Sequence, residues 1–85
     1  MEIHRSARRH GVGDADIAHA ITHHLHVGAA GDDDGPPWRT LYLGPDCAAN
    51  LLEVIVLDAD DGAELVIHAM KMRPRYETLL SDHKG

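Results

Sequence analysis

The sequence predicts a small α+β domain, and three patterns support that prediction. Residues 14–26 repeat apolar side chains at helical spacing, three runs between residues 38 and 70 have the composition of strands, and the links between these runs are short. The predicted order is two N-terminal helices, a three-stranded antiparallel β-meander with room for a fourth strand, and a C-terminal helix. A chain of 85 residues fits a single domain over residues 1–85.

Two helices are predicted in the first third of the chain. Residues 3–10 place a narrow apolar face at helical spacing and end at a glycine. Residues 14–26 give the clearer helix, because Ile17, Ile21 and Leu25 recur every four residues. We therefore expect both segments to pack one face against the strands that follow.

Three strand segments follow a loop predicted over residues 27–37. Their β-branched and leucine-rich sequences cover residues 38–43, 51–57 and 64–70. Asp61 and Gly62, between the second and third segments, are typical of a tight hairpin. Links this short require antiparallel neighbours, which gives the meander.

The segment IHAMKMRPRY, residues 67–76, joins the last strand to the closing helix. The alternation of its side chains predicts that Leu65, Ile67 and Ala69 share the buried face. Pro74 suits the first turn of a helix, where its missing N–H costs nothing. Basic side chains and a tyrosine therefore gather where the strand ends.

Cysteine usage and hydropathy predict a soluble protein of a reducing compartment. Cys47 is the only cysteine, so an intramolecular disulfide is excluded, and no nucleophile motif surrounds this thiol. The N-terminal residues have no apolar core of the kind a signal peptide needs. The longest apolar run, residues 51–57, is interrupted by Glu53 and is too short to cross a bilayer.

The charge pattern is more informative than the net charge. With neutral histidines the formal charge is −6, and protonation of all eight histidines would bring it to +2. Two basic clusters stand out, His4, Arg5, Arg8, Arg9 and His10 near the N-terminus and Lys71, Arg73 and Arg75 after the last strand. Together with His68 they form either a phosphate-binding surface or an ordinary solvated one.

Other polar clusters have simpler interpretations. His19, His23 and His26 fall on one face of the second predicted helix, where a histidine pair can bind a transition metal. No third ligand stands at a diagnostic spacing, so a solvated helix face is the better interpretation, and no metal or cofactor is expected. The acidic segments 32–34 and 58–64 are interpreted as a linker and a hairpin turn.

Several segments together resemble the BrnT-type toxins of bacterial toxin–antitoxin pairs, a family of the RelE/ParE-like group. The segments are RRHGVGDADIAHAI, LYLGPD, LLEVIVLDADDGAELVIHAM and RPRY. The most recognisable parts are the entry Arg9-His10-Gly11-Val12 and an I-x-A pattern at the end of the last strand. The resemblance covers most of the chain and implies a RelE-like fold.

The resemblance also implies a function. It implies a bacterial, cytoplasmic endoribonuclease that needs no metal, cleaves RNA by general acid–base chemistry and is neutralised by a cognate antitoxin protein. It implies a toxin–antitoxin hetero-oligomer, a homodimer being the other assembly considered, and no contact with a membrane. A third, weaker hypothesis is a histidine-rich metal-binding protein.

The residues that match this family give a candidate site. Those expected to act in catalysis are His68, Arg73, Arg75 and Tyr76, and those expected to bind RNA are Arg5, Arg8, Arg9, His10 and Lys71. One position departs from the family, because Met70 stands where an arginine usually follows the I-x-A pattern. That departure motivates an alternative, a toxin-like interaction module with weak or no catalysis that acts through a partner protein.

Overall fold

The computed structural model describes residues 1–31 and 37–81 of the chain. Its elements are strand β1 (Glu2–Ile3), 3₁₀ turn η1 (Arg5–Arg8), helix α1 (Asp14–Thr22), strands β2 (His26–Ala29), β3 (Trp38–Pro45), β4 (Leu51–Asp58) and β5 (Glu64–Lys71), 3₁₀ turn η2 (Pro74–Tyr76) and helix α2 (Glu77–Ser81). The strands form one sheet in the order β1-β5-β4-β3-β2. β1 is parallel to β5, and the other neighbours are antiparallel, so the sheet is mixed.

The predicted layout of two helices before a three-stranded meander is wrong. Glu2 and Ile3 extend the sheet instead of opening a helix, and the His4 N–H continues this pairing by donating to the Val66 carbonyl at 2.8 Å. Only η1 remains of the first predicted helix. A segment this short gains little from its own helical hydrogen bonds, so pairing with a distant strand decides its conformation.

The second correction concerns the end of α1. The helix stops at Thr22 and not at His26, and His26–Ala29 form an edge strand where a loop was predicted. The Leu25 N–H donates to the Leu43 carbonyl at 2.7 Å, so the chain leaves the helix and joins β3. Pairing with β3 supplies backbone partners that the local composition does not reveal. The acidic residues 32–34 lie outside the described residues.

The central meander lies where the sequence places it. β3 pairs with β4 and β4 with β5, both antiparallel, and Gly62 in the second link has φ +88. η2 begins at Pro74, and α2 follows as a single short helix. No helix of the described residues is long and apolar enough to cross a membrane.

One face of the sheet is covered by η1 and α1. Their contacts with the sheet bury one cluster, made of Ala7, Ile17, Ala20, Leu52, Val54, Val56, Val66 and Ala69. Gly44 of β3 lies directly under α1, because a Cβ at this position would overlap the Ala20 carbonyl oxygen. The absence of a side chain at Gly44 therefore sets how closely helix and sheet approach.

The opposite face carries the polar residues of interest. Glu53 of β4 pairs with Leu43 of β3 and with Met70 of β5, and side chains of paired residues share a face. Glu53 and Leu43 are both completely buried. The central strand thus places one carboxylate at the middle of the sheet, on the side away from α1.

A bulge in β5 sets which side chains reach this face. Ile55 pairs with His68 and the next residue, Val56, pairs with Val66, so Ile67 is an extra residue in β5. The predicted buried face is therefore wrong in part: Val66 and Ala69 enter the core, whereas Ile67 is half-buried. Without the extra residue, strict alternation from Val66 would point His68 toward α1; with it, His68 faces the side of Glu53.

Candidate functional site

The site is built around the carboxylate of Glu53. Its Oε1 accepts hydrogen bonds from His68 Nε2 and from Arg73 Nη2, both at 2.8 Å. Its Oε2 accepts from the Arg73 backbone N–H at 3.0 Å and from Arg73 Nε at 3.1 Å. Both oxygens are thus satisfied by two residues that lie 15 and 20 positions further along the chain.

The contacts determine the charge of Glu53. Burial alone would raise the pKa of its carboxyl, but the hydrogen bonds from Arg73 and His68 outweigh burial and lower that pKa below its usual value. Glu53 is therefore ionised at neutral pH although its side chain has no exposed surface. A buried carboxylate of this kind is stable only while its partners remain in place.

His68 is oriented by Glu53. An ionised carboxylate can only accept, so His68 Nε2 must donate to it, which assigns the proton to that nitrogen. In a neutral imidazole the other nitrogen, Nδ1, then carries a lone pair. The side chain of His68 is 25% exposed, so the ring is reachable from solvent.

Arg73 joins the C-terminal segment to the sheet. Its hydrogen bonds to Glu53 raise the pKa of its guanidinium further, so it remains a cation. The side chain is 43% exposed, which leaves part of the cation open to a ligand. Arg73 Cζ and Arg75 Cζ lie 5.9 and 5.2 Å from the centre of the Tyr76 ring, so one aromatic ring holds two cations near the same point.

A second imidazole lies beside this group. The His10 ring stands edge-on to the His68 ring, with centroids 6.0 Å apart and an interplanar angle of 75°. Ser6 of η1 helps to bring the two segments together, because its hydroxyl donates to the carbonyl of Ile67, the bulge residue, at 2.7 Å. The structure therefore brings together His10, His68, Arg73 and Tyr76, which are far apart in the sequence.

The remaining basic residues of the predicted site have no described contact with Glu53 or His68. Arg5 and Arg8 lie in η1, Arg9 follows it, and Lys71 is the exposed last residue of β5. Arg8 donates two hydrogen bonds to Asp14, at 3.0 and 2.8 Å, so its charge is matched within the protein.

The structure shows where Met70 lies, the position at which BrnT-type toxins usually have an arginine. It lies directly across from Glu53 in the pairing of β4 and β5. An arginine at this position would stand next to the buried carboxylate. In this chain Arg73, three residues later, makes that contact from the segment beyond the strand.

Glu53 is the residue that sequence reasoning missed. Its signal was present, because it is an acid inside a run of leucine, valine and isoleucine. A charge in a central strand needs partners, and a histidine and an arginine near the end of the next strand are the natural ones. Sequence spacing does not show which of them face it.

Other polar groups offer less. Among the described residues no three histidine, cysteine, aspartate or glutamate side chains gather closely enough to hold a metal ion. The rings of His19 and His23 stack with centroids 4.2 Å apart, but His26 lies in β2 and not on the same helix face. The hydrogen bond to Asp16, some desolvation and the charges of Asp16 and Asp46 raise the pKa of the exposed Cys47 thiol, which makes it a weak nucleophile.

One cavity among the described residues lies away from the site. It has a volume of about 330 Å³ and is lined by Pro37, Leu57, Ala59 and Asp60, at the other end of β4 from Glu53. The site around Glu53 lies at the end of β5, where the side chains of His68 and Arg73 are partly exposed.

Comparisons with protein-family models, with curated protein sequences and with solved structures found no match to this chain.

Proposed function

We propose that this protein is an endoribonuclease that cleaves RNA by general acid–base chemistry, as the toxin of a type II toxin–antitoxin pair. The observation that carries the proposal is the buried Glu53 carboxylate, which holds His68 and Arg73 side by side at one exposed edge. The resemblance of the entry motif and of the β5 sequence to BrnT-type toxins supports the same function. RNA supplies its own nucleophile, the 2′-hydroxyl, so the chemistry can proceed with protein groups alone.

His68 acts as the general base in this proposal. Its Nδ1 takes the proton from the 2′-hydroxyl, and the resulting imidazolium is stabilised by the Glu53 carboxylate on Nε2. Glu53 and His68 have different roles in this proposal. His68 contacts the substrate, whereas Glu53 does not reach it and serves to orient His68. Because Glu53 is fully buried, water does not compete with it as the hydrogen-bond partner of His68 Nε2.

Arg73 and Arg75 act on the phosphate. A cation fixed before the reaction stabilises the negative charge that develops on the phosphorus oxygens in the transition state. Glu53 fixes Arg73, and the Tyr76 ring lies against both arginines. Arg73 therefore supplies the guanidinium that Met70 cannot supply.

A cleavage assay with purified protein tests this function. In buffer with EDTA, we expect the wild type to cut a mixed-sequence RNA, and we expect His68→Ala and Arg73→Ala each to lower kcat by about 10²–10⁴-fold. Arg39→Ala is the matched control, because Arg39 is an exposed arginine at the start of β3, at the other end of the sheet. Intact RNA with folded wild-type protein would refute the proposal.

A specific observation also favours the second candidate, a toxin-like interaction module. The Arg73 guanidinium donates several hydrogen bonds to Glu53, and these contacts would also serve only to fasten the C-terminal segment. In that case a partner protein would bind the surface around η2 without any reaction. The cognate antitoxin is the partner expected under both candidates.

Expression in bacteria separates the two candidates. If the protein is a nuclease, expression of the chain alone should arrest growth and degrade RNA, and co-expression of a small neighbouring gene should relieve the arrest. Expression of the variant carrying both His68→Ala and Arg73→Ala should not arrest growth. The interaction module predicts normal growth, intact RNA and partner binding that survives the double substitution. Verified equal expression of wild type and variant is the control.

A further inference from the structure

Cleavage of RNA requires two proton transfers, and the site described so far accounts for one. When the 2′-oxygen attacks phosphorus, the bond to the 5′-oxygen of the next nucleotide breaks. That oxygen leaves as an alcohol only if it receives a proton. Glu53 cannot give it, since it is ionised and buried, and Arg73 stays a cation.

We propose that His10 is the general acid of this site. This inference rests on the proposed function and gives His10 a role beyond holding phosphate. The observation behind it is the position of its ring, edge-on to the His68 ring at a centroid distance of 6.0 Å. A phosphate bound against the exposed edges of both rings would lie within reach of two imidazoles, one for the proton of the attacking oxygen and the other for the leaving oxygen.

The fold gives this position a structural basis. His10 follows η1, which is fastened to β5 by the Ser6 hydroxyl on the Ile67 carbonyl. The same bulge turns His68 toward Glu53, so one local irregularity arranges both rings. His10 is exposed, and the charged groups adjoining the pair are Glu53 on His68, Arg73 on Glu53, and Arg8 and Arg9 before His10.

The two imidazoles have different chemical settings. The carboxylate on Nε2 of His68 suits the group that must gain a proton and hold the charge. No described carboxylate forms a salt bridge with His10.

The step balances. The 2′-hydroxyl proton passes to His68, the 2′-oxygen forms a bond to phosphorus, and the bond from phosphorus to the 5′-oxygen breaks as His10 donates its proton to that oxygen. The products are a 2′,3′-cyclic phosphate and a free 5′-hydroxyl. No redox change occurs, and exchange with water restores the two histidines.

A change of leaving group tests the role directly. We compare a dinucleotide of normal RNA with one whose bridging 5′-oxygen is replaced by sulfur, because a thiolate leaves without protonation. His10→Ala should cut the normal substrate about 10²–10⁴-fold more slowly than wild type but the sulfur substrate within about tenfold of it. His68→Ala should be slow on both substrates, and His23→Ala, an exposed histidine of another surface, should match the wild type on both.

The outcomes separate this inference from the proposed function. If the wild type cuts RNA and His10→Ala is equally impaired on both substrates, or impaired on neither, His10 is not the general acid although the nuclease stands. If the folded wild type cuts neither substrate, both ideas are overturned. His10→Gln, which keeps a polar side chain of similar size, should repeat the pattern of His10→Ala.

Discussion

Glu53 joins β4 to the last strand and to the C-terminal segment. It is a buried anion at the centre of the sheet, and its hydrogen bonds reach the last strand through His68 and the C-terminal segment through Arg73. Removing one partner from such a group leaves an uncompensated charge, which costs more than the pair contributes. The same contacts give His68 its orientation, so stability and the proposed chemistry depend on one side chain.

Stability should therefore depend on pH through Glu53. Because the folded pKa of Glu53 is lowered, its contribution is present above the unfolded pKa of about 4.3 and is lost as pH falls through the folded value. Urea unfolding should show Glu53→Gln to be less stable than wild type by about 2–3 kcal/mol at pH 7, with the difference shrinking below about pH 4.

Glu64→Gln is the control for this prediction. Glu64 is exposed at the start of β5, so Glu64→Gln should change the free energy of unfolding by no more than about 0.5 kcal/mol at neutral or at acidic pH. If Glu53→Gln lowers the free energy of unfolding by the same amount at about pH 3 and about pH 7, then Glu53 stabilises the fold through packing and not through its charge.

At the scale of elements, local patterns predict some of the fold. The strands β3, β4 and β5 repeat side chains at strand spacing, and Gly13 precedes α1 as its N-cap. β1 and β2 could not be predicted in this way, because they exist through pairing with β5 and β3, far along the chain. The bulge at Ile67 likewise has no local sequence signature, and the Ile67 carbonyl there accepts a hydrogen bond from Ser6, 61 residues earlier in the chain.

The close approach of α1 and β3 gives a prediction at this scale. In Gly44→Ala the new Cβ would overlap the Ala20 carbonyl oxygen and stand 3.0 Å from His24 Cα, so backbone must move. We expect a loss of about 2–3 kcal/mol in urea unfolding. Gly13→Ser is the control, because the nearest atom to a Cβ there is 3.8 Å away and serine is a good N-cap. Equal stability of the two variants would contradict the packing described.

For the candidate site, sequence reasoning named His68, Arg73 and Tyr76, which lie near one another in the structure, and missed Glu53, which contacts the first two. His68, Arg73 and Tyr76 were named because a histidine and basic groups follow the last strand. Glu53 was seen only as an interruption of an apolar run. Which faces the side chains take depends on the bulge in β5 and on strand register, and neither has a local signature.

At the scale of the whole molecule, net charge opposes RNA binding and local charge must overcome it. The formal charge is −6 with neutral histidines. Apart from Arg39 in β3, the lysines and arginines of the described residues lie near η1 and η2, both adjacent to β5, and Arg8 is already matched by Asp14. Binding should therefore be strongly dependent on salt and on a few cations.

Salt titrations of RNA binding test this charge distribution. Measured in the His68→Ala background to prevent cleavage, Arg9→Ala should lower the slope of log K against log salt by about 0.7, the value of one phosphate contact on a single strand. Arg8→Ala should change the slope less, because Arg8 is paired with Asp14. Equal effects of the two substitutions would contradict this distribution.

The most direct test of the central claim is cleavage in EDTA of one oligonucleotide prepared both as RNA and with 2′-O-methyl groups. If the Glu53-anchored site uses the 2′-hydroxyl as nucleophile, the RNA is cut to fragments that end in a 2′,3′-cyclic phosphate, and the methylated strand stays intact. The variant carrying both His68→Ala and Arg73→Ala should leave both strands intact. Uncut RNA, equal cutting of the methylated strand, or cleavage by the double variant at the wild-type rate would contradict the account.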